Sequence, residues 1–344
     1  MELGLYISGQ HPRGSMAAHL RDHLAQVRAA REAGFRSVFA GHHYFSNPYQ
    51  QFHPMPLLAR IAAESGDMLV GVGVLLTALL NPVDVCEQAT TLDAITGGRF
   101  VLGVGLGYRD VEYAAFGVPE ERRVRIFKEN LETIKRLWTE PHLDTVTDRY
   151  RLAHVSWPTP TEQRPHPPIW MAANNDPAVR RAARLGDAWI INPHARLDVL
   201  QRQLDVYMGE LESLGKPFPK VLPIIRDAYV AETSHQALAD ARPFLEAKYK
   251  TYVAWGQDRA LPTGEDHLDL PFESLRGDRF LVGDPDEVTE QLSRLREALR
   301  VNHVILRMQW PGDDSALPSE KTIRSIELIG RHVLPNFRHA SRAR

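Results

Sequence analysis

The sequence predicts an α/β fold, a (β/α)8 TIM barrel, on three observations. Eight short apolar runs alternate with stretches in which apolar residues recur about every 3.6 positions. Several of these helical stretches end at a glycine, which tolerates the left-handed geometry that closes a helix. The apolar runs are nearly continuous, as is typical of parallel strands covered on both faces. A chain of 344 residues exceeds the roughly 250 of a plain barrel, so we expect insertions.

The predicted strands and helices alternate along the whole chain. The helix that starts near Met16 ends at Gly34 before FRSVFA, and the next ends at Gly66 before MLVGVGVLL. The helix before the last predicted strand, 285–299, is an exception, because Arg300 stands where a glycine is usual. The predicted strands are 2–8, 36–40, 69–76, 100–105, 168–172, 187–191, 222–231 and 302–307. The predicted helices are 16–33, 54–65, 82–96, 120–139, 177–185, 196–214, 234–254, 285–299 and 318–334.

Two long segments interrupt this alternation. Residues 140–167 are rich in Pro and His, and residues 255–283, which contain ALPTGEDHLDLP, have the length and polarity of a mobile lid. The same alternation would also suit an open, doubly wound sheet, which is the alternative fold. No linker divides the chain, so we expect residues 1–344 to form one domain.

Composition limits the classes of partner and the cellular compartment that we expect for this protein. The chain has 41 basic and 43 acidic residues and no dense basic stripe, so neither nucleic acid nor an anionic membrane is an expected partner. No apolar run approaches the roughly 20 residues of a membrane helix, and MELGLYISGQ lacks the plan of a signal peptide. The single cysteine, Cys86, excludes a disulfide framework and is expected to be a small buried thiol. These features predict a cytoplasmic protein.

A glycine-rich run follows the fourth predicted strand, at the end of the barrel where such folds hold their active sites. In GVGLGYRD, from Gly103 to Asp110, a ligand can approach the backbone closely and successive N–H groups can face an anion. A dinucleotide fingerprint would require a third glycine where Tyr108 stands, which argues against that class of ligand. The alternative is structural, because glycines in strands often only relieve crowding.

A second polar run, AANNDPAVRR, follows the fifth predicted strand. Asp176 suits an N-cap and Pro177 suits the first helical turn. The N-terminus of a helix attracts anions, and Asn174 and Asn175 would add neutral donors. Simple capping would also explain this run. With the glycine run beside it, we expect a ligand carrying a phosphate between the two.

Two adjacent histidines, His42 and His43, follow the second predicted strand in SVFAGHHYF. Adjacent side chains diverge and no Asp or Glu cluster accompanies them, so we expect no metal site. Beside an anion site, one of them is expected to face the ligand as an acid, a base or a hydrogen-bond donor.

Together these segments resemble the luciferase-like flavin-dependent monooxygenases, the TIM-barrel group that includes bacterial luciferase and the deazaflavin-dependent reductases. The similarity runs nearly end to end. The most specific segment is LDAITGGRFVLGVGLGYRDVEYAAFG. The others are GFRSVFAGHHYF, VGVGVLLTALLNPV, PPIWMAANNDPAVRRAARLGDAWI and GDPDEVTEQLSRL.

The resemblance implies a role for several residues. His42 matches the histidine that assists chemistry on the reduced flavin. Both His42 and its neighbour His43 are candidates to supply the proton, and His42 is favoured. Gly73 and Val74 match the position of a non-proline cis peptide beneath the isoalloxazine ring. The residues implied to line the flavin and its phosphate chain are Val104, Gly105, Leu106, Gly107 and Tyr108. Those implied to hold the flavin edge and phosphate are Ala172, Asn174, Asn175 and Ala178.

The chain departs from luciferase at three positions in or beside these segments. Gly41 replaces the acidic residue before the histidines, which leaves their protonation partner open. Val104 stands in place of a cysteine, and Gly105 stands in place of an arginine on the phosphate. Arg109 and Arg180 are the candidates to compensate for that arginine.

The function implied by the resemblance is that of a monooxygenase that uses reduced FMN and dioxygen to oxygenate a hydrophobic aldehyde, alkane or aromatic metabolite. No nicotinamide site is visible, so we expect a separate flavin reductase. The alternatives are a deazaflavin (F420)-dependent dehydrogenase or reductase, a flavin-binding protein without turnover and, more remotely, a metal hydrolase. A homodimer formed through the second and third helices is also expected. The residues expected to shape an apolar pocket are Phe45, Tyr49, Phe52 and Trp310.

Overall fold

Eight parallel strands close into a barrel in this computed structural model, which describes residues 1–262, 267–312 and 315–338. Each strand pairs with the next, and the first strand pairs with the last. Ile191 pairs with Ile224, which joins the two halves of the sheet. The predicted barrel is therefore confirmed, and the open sheet is rejected. The strands are β1 (Glu2–Ile7), β2 (Ser37–Ala40), β3 (Leu69–Leu76), β4 (Phe100–Gly105), β5 (Ile169–Ala173), β6 (Ala188–Ile191), β7 (Pro223–Val230) and β8 (His303–Arg307).

Helices surround the barrel and begin and end where local chemistry favours it. The Ser15 side chain accepts a hydrogen bond from the Ala18 N–H at the start of the first helix, which ends at Gly34 with φ +91°. Arg300 adopts the same left-handed geometry, with φ +57°, at the end of another. In the described residues the α-helices are α1 (Met16–Ala33), α2 (Pro54–Ala62), α3 (Pro82–Ile95), α4 (Asp110–Ala115), α5 (Arg123–Thr139), α6 (Asp176–Leu185), α7 (Leu197–Ser213), α8 (Ser234–Ala254), α9 (Phe272–Arg279), α10 (Pro285–Leu299), α11 (Ser319–Leu328) and α12 (Pro335–Arg338).

Two packed layers hold the barrel together. Alternate strand residues point outward against the helices, and the others fill the barrel interior. Inside, the rings of Phe39 and Trp170 stack with their centroids 5.3 Å apart, and Ile305 is fully buried beside them. Because large side chains fill the interior, a ligand cavity is confined to the end of the barrel where the strands finish.

The strand β3 bulges at its middle. Its register with β4 shifts between Val72 and Leu75, and the Gly73–Val74 peptide within the bulge is cis, as the resemblance implied. The bulge brings the Val72 carbonyl so close to β4 that a Cβ atom on Gly103 would collide with it. Glycine at this position of β4 is therefore a requirement of close packing between the two strands.

The two predicted insertions contain structure that the sequence pattern did not show. Within 140–167, strands Leu143–Val146 and Arg151–Val155 form an antiparallel hairpin. Within 255–283, helix α9 leads into a strand, Phe280–Gly283, that pairs with β7. Residues 263–266 of the predicted lid lie outside the described residues, and the lid stays a prediction. In the described part of the chain, no helix is both long and apolar enough to cross a bilayer.

Candidate active site

A cavity of about 360 Å³ opens at the C-terminal ends of the barrel strands. This volume is in the range of sites that bind organic ligands. Most residues implied by the resemblance line it: His42, His43, Gly73, Val74, Gly105, Leu106, Gly107, Tyr108, Ala172, Asn174, Asn175 and Ala178. Val104 does not line it, because strand alternation directs its side chain into the fully buried layer beneath the helices.

The bulge of β3 forms one wall of this cavity. The Tyr6 hydroxyl donates to the Gly73 carbonyl at 2.7 Å, which ties the bulge to β1. A Cβ atom on Gly105 would lie 2.5 Å from the Val74 Cγ2, so β4 approaches the bulge as closely as packing allows. These contacts give the cavity a closely packed wall built from backbone and small side chains.

The N-terminus of α6 lies at another side of the cavity and carries partial positive charge. The N-cap is Asn175, whose side chain accepts from the Ala178 N–H at 3.1 Å, so the predicted cap, Asp176, is instead the first helical residue. Arg181 lines the cavity from the same helix, and its Nε is buried without a hydrogen-bond partner among the described residues. Burial lowers the pKa of Arg181 from its usual value. Arg123, at the start of α5, also lines the cavity.

The two arginines expected to compensate for Gly105 serve other purposes. Arg109 donates to the carbonyls of Tyr44 at 2.5 Å and Phe45 at 2.9 Å, which fixes the loop after β2. Arg180 points away and pairs with Glu210 at 3.5 Å. That expectation was wrong, and Arg181 and Arg123 occupy the cavity instead. A signal was present in the sequence, since Arg181 lies three positions after Ala178 and thus on the same helix face.

His42 is buried in the cavity wall with neither ring nitrogen hydrogen-bonded to a described residue. Its ring packs against Tyr44 and His53, with centroids 4.3 and 4.8 Å away. Burial, with smaller contributions from His53 and His43, lowers the pKa of His42 to about 3. The imidazole is therefore neutral near neutral pH, and both nitrogens are free to meet a ligand.

His43 has the acidic partner that the sequence lacks at position 41. Its Nδ1 lies 3.2 Å from Glu112 Oε1, which also accepts from the Tyr44 N–H at 2.8 Å. The Arg109 guanidinium lies 3.6 Å from the same oxygen. Glu112 belongs to α4 and is almost completely buried. No spacing rule connects positions 43 and 112, so sequence reasoning missed this pair.

The apolar pocket is built from other residues than expected. Phe45 is 58% exposed, Phe52 packs against His11, and Trp310 is buried outside the cavity. Tyr49 does not line the cavity either. The aromatic and aliphatic walls come instead from Tyr6, Leu76, Tyr108, Met171, Ile190, Ile225 and Tyr252.

The fold is a TIM barrel with a ligand-sized cavity at the C-terminal ends of its strands, and comparison with known proteins identifies its family. Residues 1–302 match the model of the luciferase-like monooxygenases, and the chain belongs to that family. The expected membership is confirmed.

Three relatives illustrate the range of the family. The chain is 24% identical to an FMNH2-dependent dimethylsulfone monooxygenase of Pseudomonas putida, over 99% of this chain and 94% of that one. It is 25% identical to an F420-dependent glucose-6-phosphate dehydrogenase of Amycolatopsis mediterranei, over 92% and 95%. The structure of monooxygenase RslO1 from Streptomyces bottropensis superposes with a TM-score of 0.84 at 23% identity, covering 98% and 100% of the chains. Relatives thus include both FMN-dependent and F420-dependent oxidoreductases.

Proposed function

We propose that this protein is an FMN-dependent monooxygenase that receives reduced FMN from a separate flavin reductase and oxygenates a hydrophobic organic substrate. One oxygen atom of dioxygen enters the substrate and the other leaves as water, with two electrons from the reduced cofactor. The observation that carries the proposal is a single cavity that joins the β3 bulge and His42 to the α6 N-terminus and two arginines.

The cationic groups that line the cavity suit the terminal phosphate of FMN. FMN ends in a phosphomonoester with close to two negative charges at neutral pH, whereas the phosphate of F420 is a diester with one, and the other charges of F420 are carboxylates further along its tail. Arg181 and Arg123 line the cavity together with the N-terminus of α6, and Arg123 is also paired with Glu120, which lines the cavity too. Guanidinium groups and helix N-termini both stabilise a phosphate, and their combination suits a dianion.

Unpaired polar atoms in the wall fit the rest of a flavin. The buried groups without a hydrogen-bond partner among the described residues include both nitrogens of His42, the Tyr108 hydroxyl and the Asn192 Nδ2. All three residues line the cavity. The pyrimidine edge of an isoalloxazine presents carbonyl and N–H groups in one plane, which would satisfy such donors and acceptors. The residues present therefore fit the cofactor.

The protein's own groups divide the work of binding, shielding and proton handling. When bound, the cofactor supplies the reducing electrons for the reaction with dioxygen. Neutral His42 is assigned to hydrogen bonding, because burial opposes its protonation. His43 is assigned to moving the proton, since the Glu112 carboxylate at its Nδ1 fixes the orientation of the ring. Residues 256, 257, 259 and 260 also line the cavity and limit the access of water.

The test supplies the protein with reduced FMN, labelled dioxygen (¹⁸O₂) and a library of organic compounds, and searches for products by mass spectrometry. We expect a product carrying one ¹⁸O atom, formed only when reduced FMN and dioxygen are both present. The matched control gives the same library to the protein with oxidised F420 without oxygen. Dehydrogenated product with F420 would establish the alternative, and tight FMN binding without any product would favour a flavin-binding protein without turnover. The expected homodimer stays a prediction.

A further inference from the structure

A buried arginine lines the cavity on the side away from the proposed phosphate site. Arg307 ends β8 and is only 6% exposed. Its guanidinium lies over the Tyr6 ring, 4.5 Å from the centroid. Its Nε and Nη1 are buried without a hydrogen-bond partner among the described residues. Burying an unpaired donor, and more so a charged one, costs free energy unless a partner arrives.

The carboxylate of Asp227 lies near two cations, Lys248 and Arg307. Asp227 is fully buried, contacts the Lys248 ammonium, and accepts from the Trp310 Nε1–H at 2.8 Å. The Arg307 Nε lies 4.0 Å from the same carboxylate, too far for a hydrogen bond. Burial, reinforced by Arg307, lowers the pKa of Lys248 to about 7 although Asp227 opposes the shift. Below that pH both cations are charged and the group carries one positive charge in excess, whereas above it the charges of Arg307 and Asp227 balance.

The other buried arginines nearby are satisfied by backbone. The Arg226 Nη1 donates to the Asn192 carbonyl at 3.0 Å. The Arg279 Nε donates to the His194 carbonyl at 2.6 Å. Neither of these arginines lines the cavity. Arg307 therefore differs from them both in its unpaired donors and in its access to the cavity.

The barrel order separates Arg307 from the phosphate site. Strand β8 lies between β7 and β1, whereas the glycine run and the asparagine pair follow β4 and β5 on the opposite side of the ring of strands. We infer that the Arg307 guanidinium binds an ionised carboxylate of the organic substrate. This inference rests on the proposed function and refines its substrate from a hydrophobic compound to a hydrophobic acid.

The surroundings define the rest of the ligand. A guanidinium donates two parallel N–H groups to a planar carboxylate, which fixes orientation as well as charge. The walls of this cavity include Tyr6, over whose ring Arg307 lies, together with Ile225 and Tyr252. Aromatic and branched aliphatic walls suit an aryl or alkyl body. A monocarboxylic acid with one such body matches these features.

The test measures binding rather than turnover. Wild-type protein, with and without FMN, is titrated by calorimetry with pairs that differ only in charge, such as benzoate and benzamide, phenylacetate and phenylacetamide, and octanoate and octanamide. We expect at least one acid to bind at least tenfold more tightly than its amide. Equal or absent binding of acid and amide across all pairs would overturn the inference without any variant.

Two variants then test whether Arg307 is the group that binds the carboxylate. In Arg307→Gln the acid-to-amide ratio should fall to near one, while FMN affinity stays within twofold of wild type. Arg307→Lys keeps the buried charge but loses the two parallel N–H donors. In this variant the acid-to-amide ratio should fall at least threefold and remain above one. The control Arg123→Gln should weaken FMN binding and leave the ratio unchanged. Thermal unfolding establishes that each variant folds. If Arg307→Gln does not fold, the measurements on wild-type protein and on Arg307→Lys test the inference.

The outcomes separate this inference from the proposed function. An unchanged acid-to-amide ratio in Arg307→Gln would overturn the inference. So would a tenfold loss of FMN affinity in that variant, which would assign the guanidinium to the cofactor. Failure of wild-type protein to bind FMN would refute the proposed function alone, because the acid pairs are also measured without cofactor.

Discussion

Replacing Gly105 by alanine tests the close packing between β4 and the β3 bulge. The new Cβ would lie 2.5 Å from the Val74 Cγ2, 3.5 Å from the Val74 Cβ and 3.9 Å from the Ala172 Cβ. Only the first of these distances is a clash. Overpacking of this kind costs about 1–3 kcal/mol of the free energy of unfolding. Because Val74 also lines the cavity, its displacement should weaken FMN binding about tenfold as well.

The compensating change is Val74→Ala, which removes the clashing methyl and leaves the 3.5 Å contact. On its own it should cost about 1 kcal/mol. The double variant should be no less stable than Val74→Ala alone, which corresponds to a coupling of about 1–3 kcal/mol between the two sites. The four proteins are compared by urea unfolding followed by circular dichroism, and by quenching of FMN fluorescence. Additivity of the two single effects within about 0.5 kcal/mol would refute the packing described here.

Three further predictions concern stability. His42→Gln should flatten the pH dependence of the urea midpoint between pH 5 and 6.5. The pKa of His42 is about 3 when folded and its usual value, 6.5, when unfolded, so wild type loses up to about 1.4 kcal/mol per pH unit as pH falls below 6.5; an unchanged slope would contradict this. Glu112→Gln should lower the free energy of unfolding by about 1–3 kcal/mol, because the buried carboxylate contacts His43. The exposed control Glu246→Gln should cost less than about 1 kcal/mol. Equal costs would contradict the buried contact. Gly34→Ala should lower the thermal midpoint because φ is +91°, at a cost of about 1–2 kcal/mol, whereas Gly209→Ala in open space should raise it; the reverse order would contradict the helix ends described.

The barrel was predictable from the sequence because its signals are local. Helical period, glycine at helix ends and continuous apolar runs each act within about 20 residues, and α1 and β3 have the predicted bounds. The strand Phe280–Gly283 was missed because four residues carry little pattern and its partner, β7, lies some 50 positions earlier. Arg300 shows that a left-handed helix end survives without glycine.

The site was predictable only where a residue type follows a strand. The glycine run and the asparagine pair were found in this way, and both line the cavity. The contact between His43 and Glu112 spans 69 positions, and the contact between Arg307 and Tyr6 spans nearly the whole chain. Such pairs depend on how the barrel closes, which no local pattern records. The expectation that Val104 lines the cavity failed for a simpler reason. Alternation along β4 places its side chain on the opposite face from the glycines on either side.

The identity of the cofactor is tested most directly by comparing the affinities of wild-type protein for FMN, riboflavin and F420 by equilibrium titration. If Arg181, Arg123 and the α6 N-terminus seat a terminal phosphate, FMN should bind at least tenfold more tightly than riboflavin and more tightly than F420. Arg181→Gln should weaken FMN binding and leave riboflavin binding unchanged. Equal affinity for FMN and riboflavin, or a preference for F420, would contradict the account.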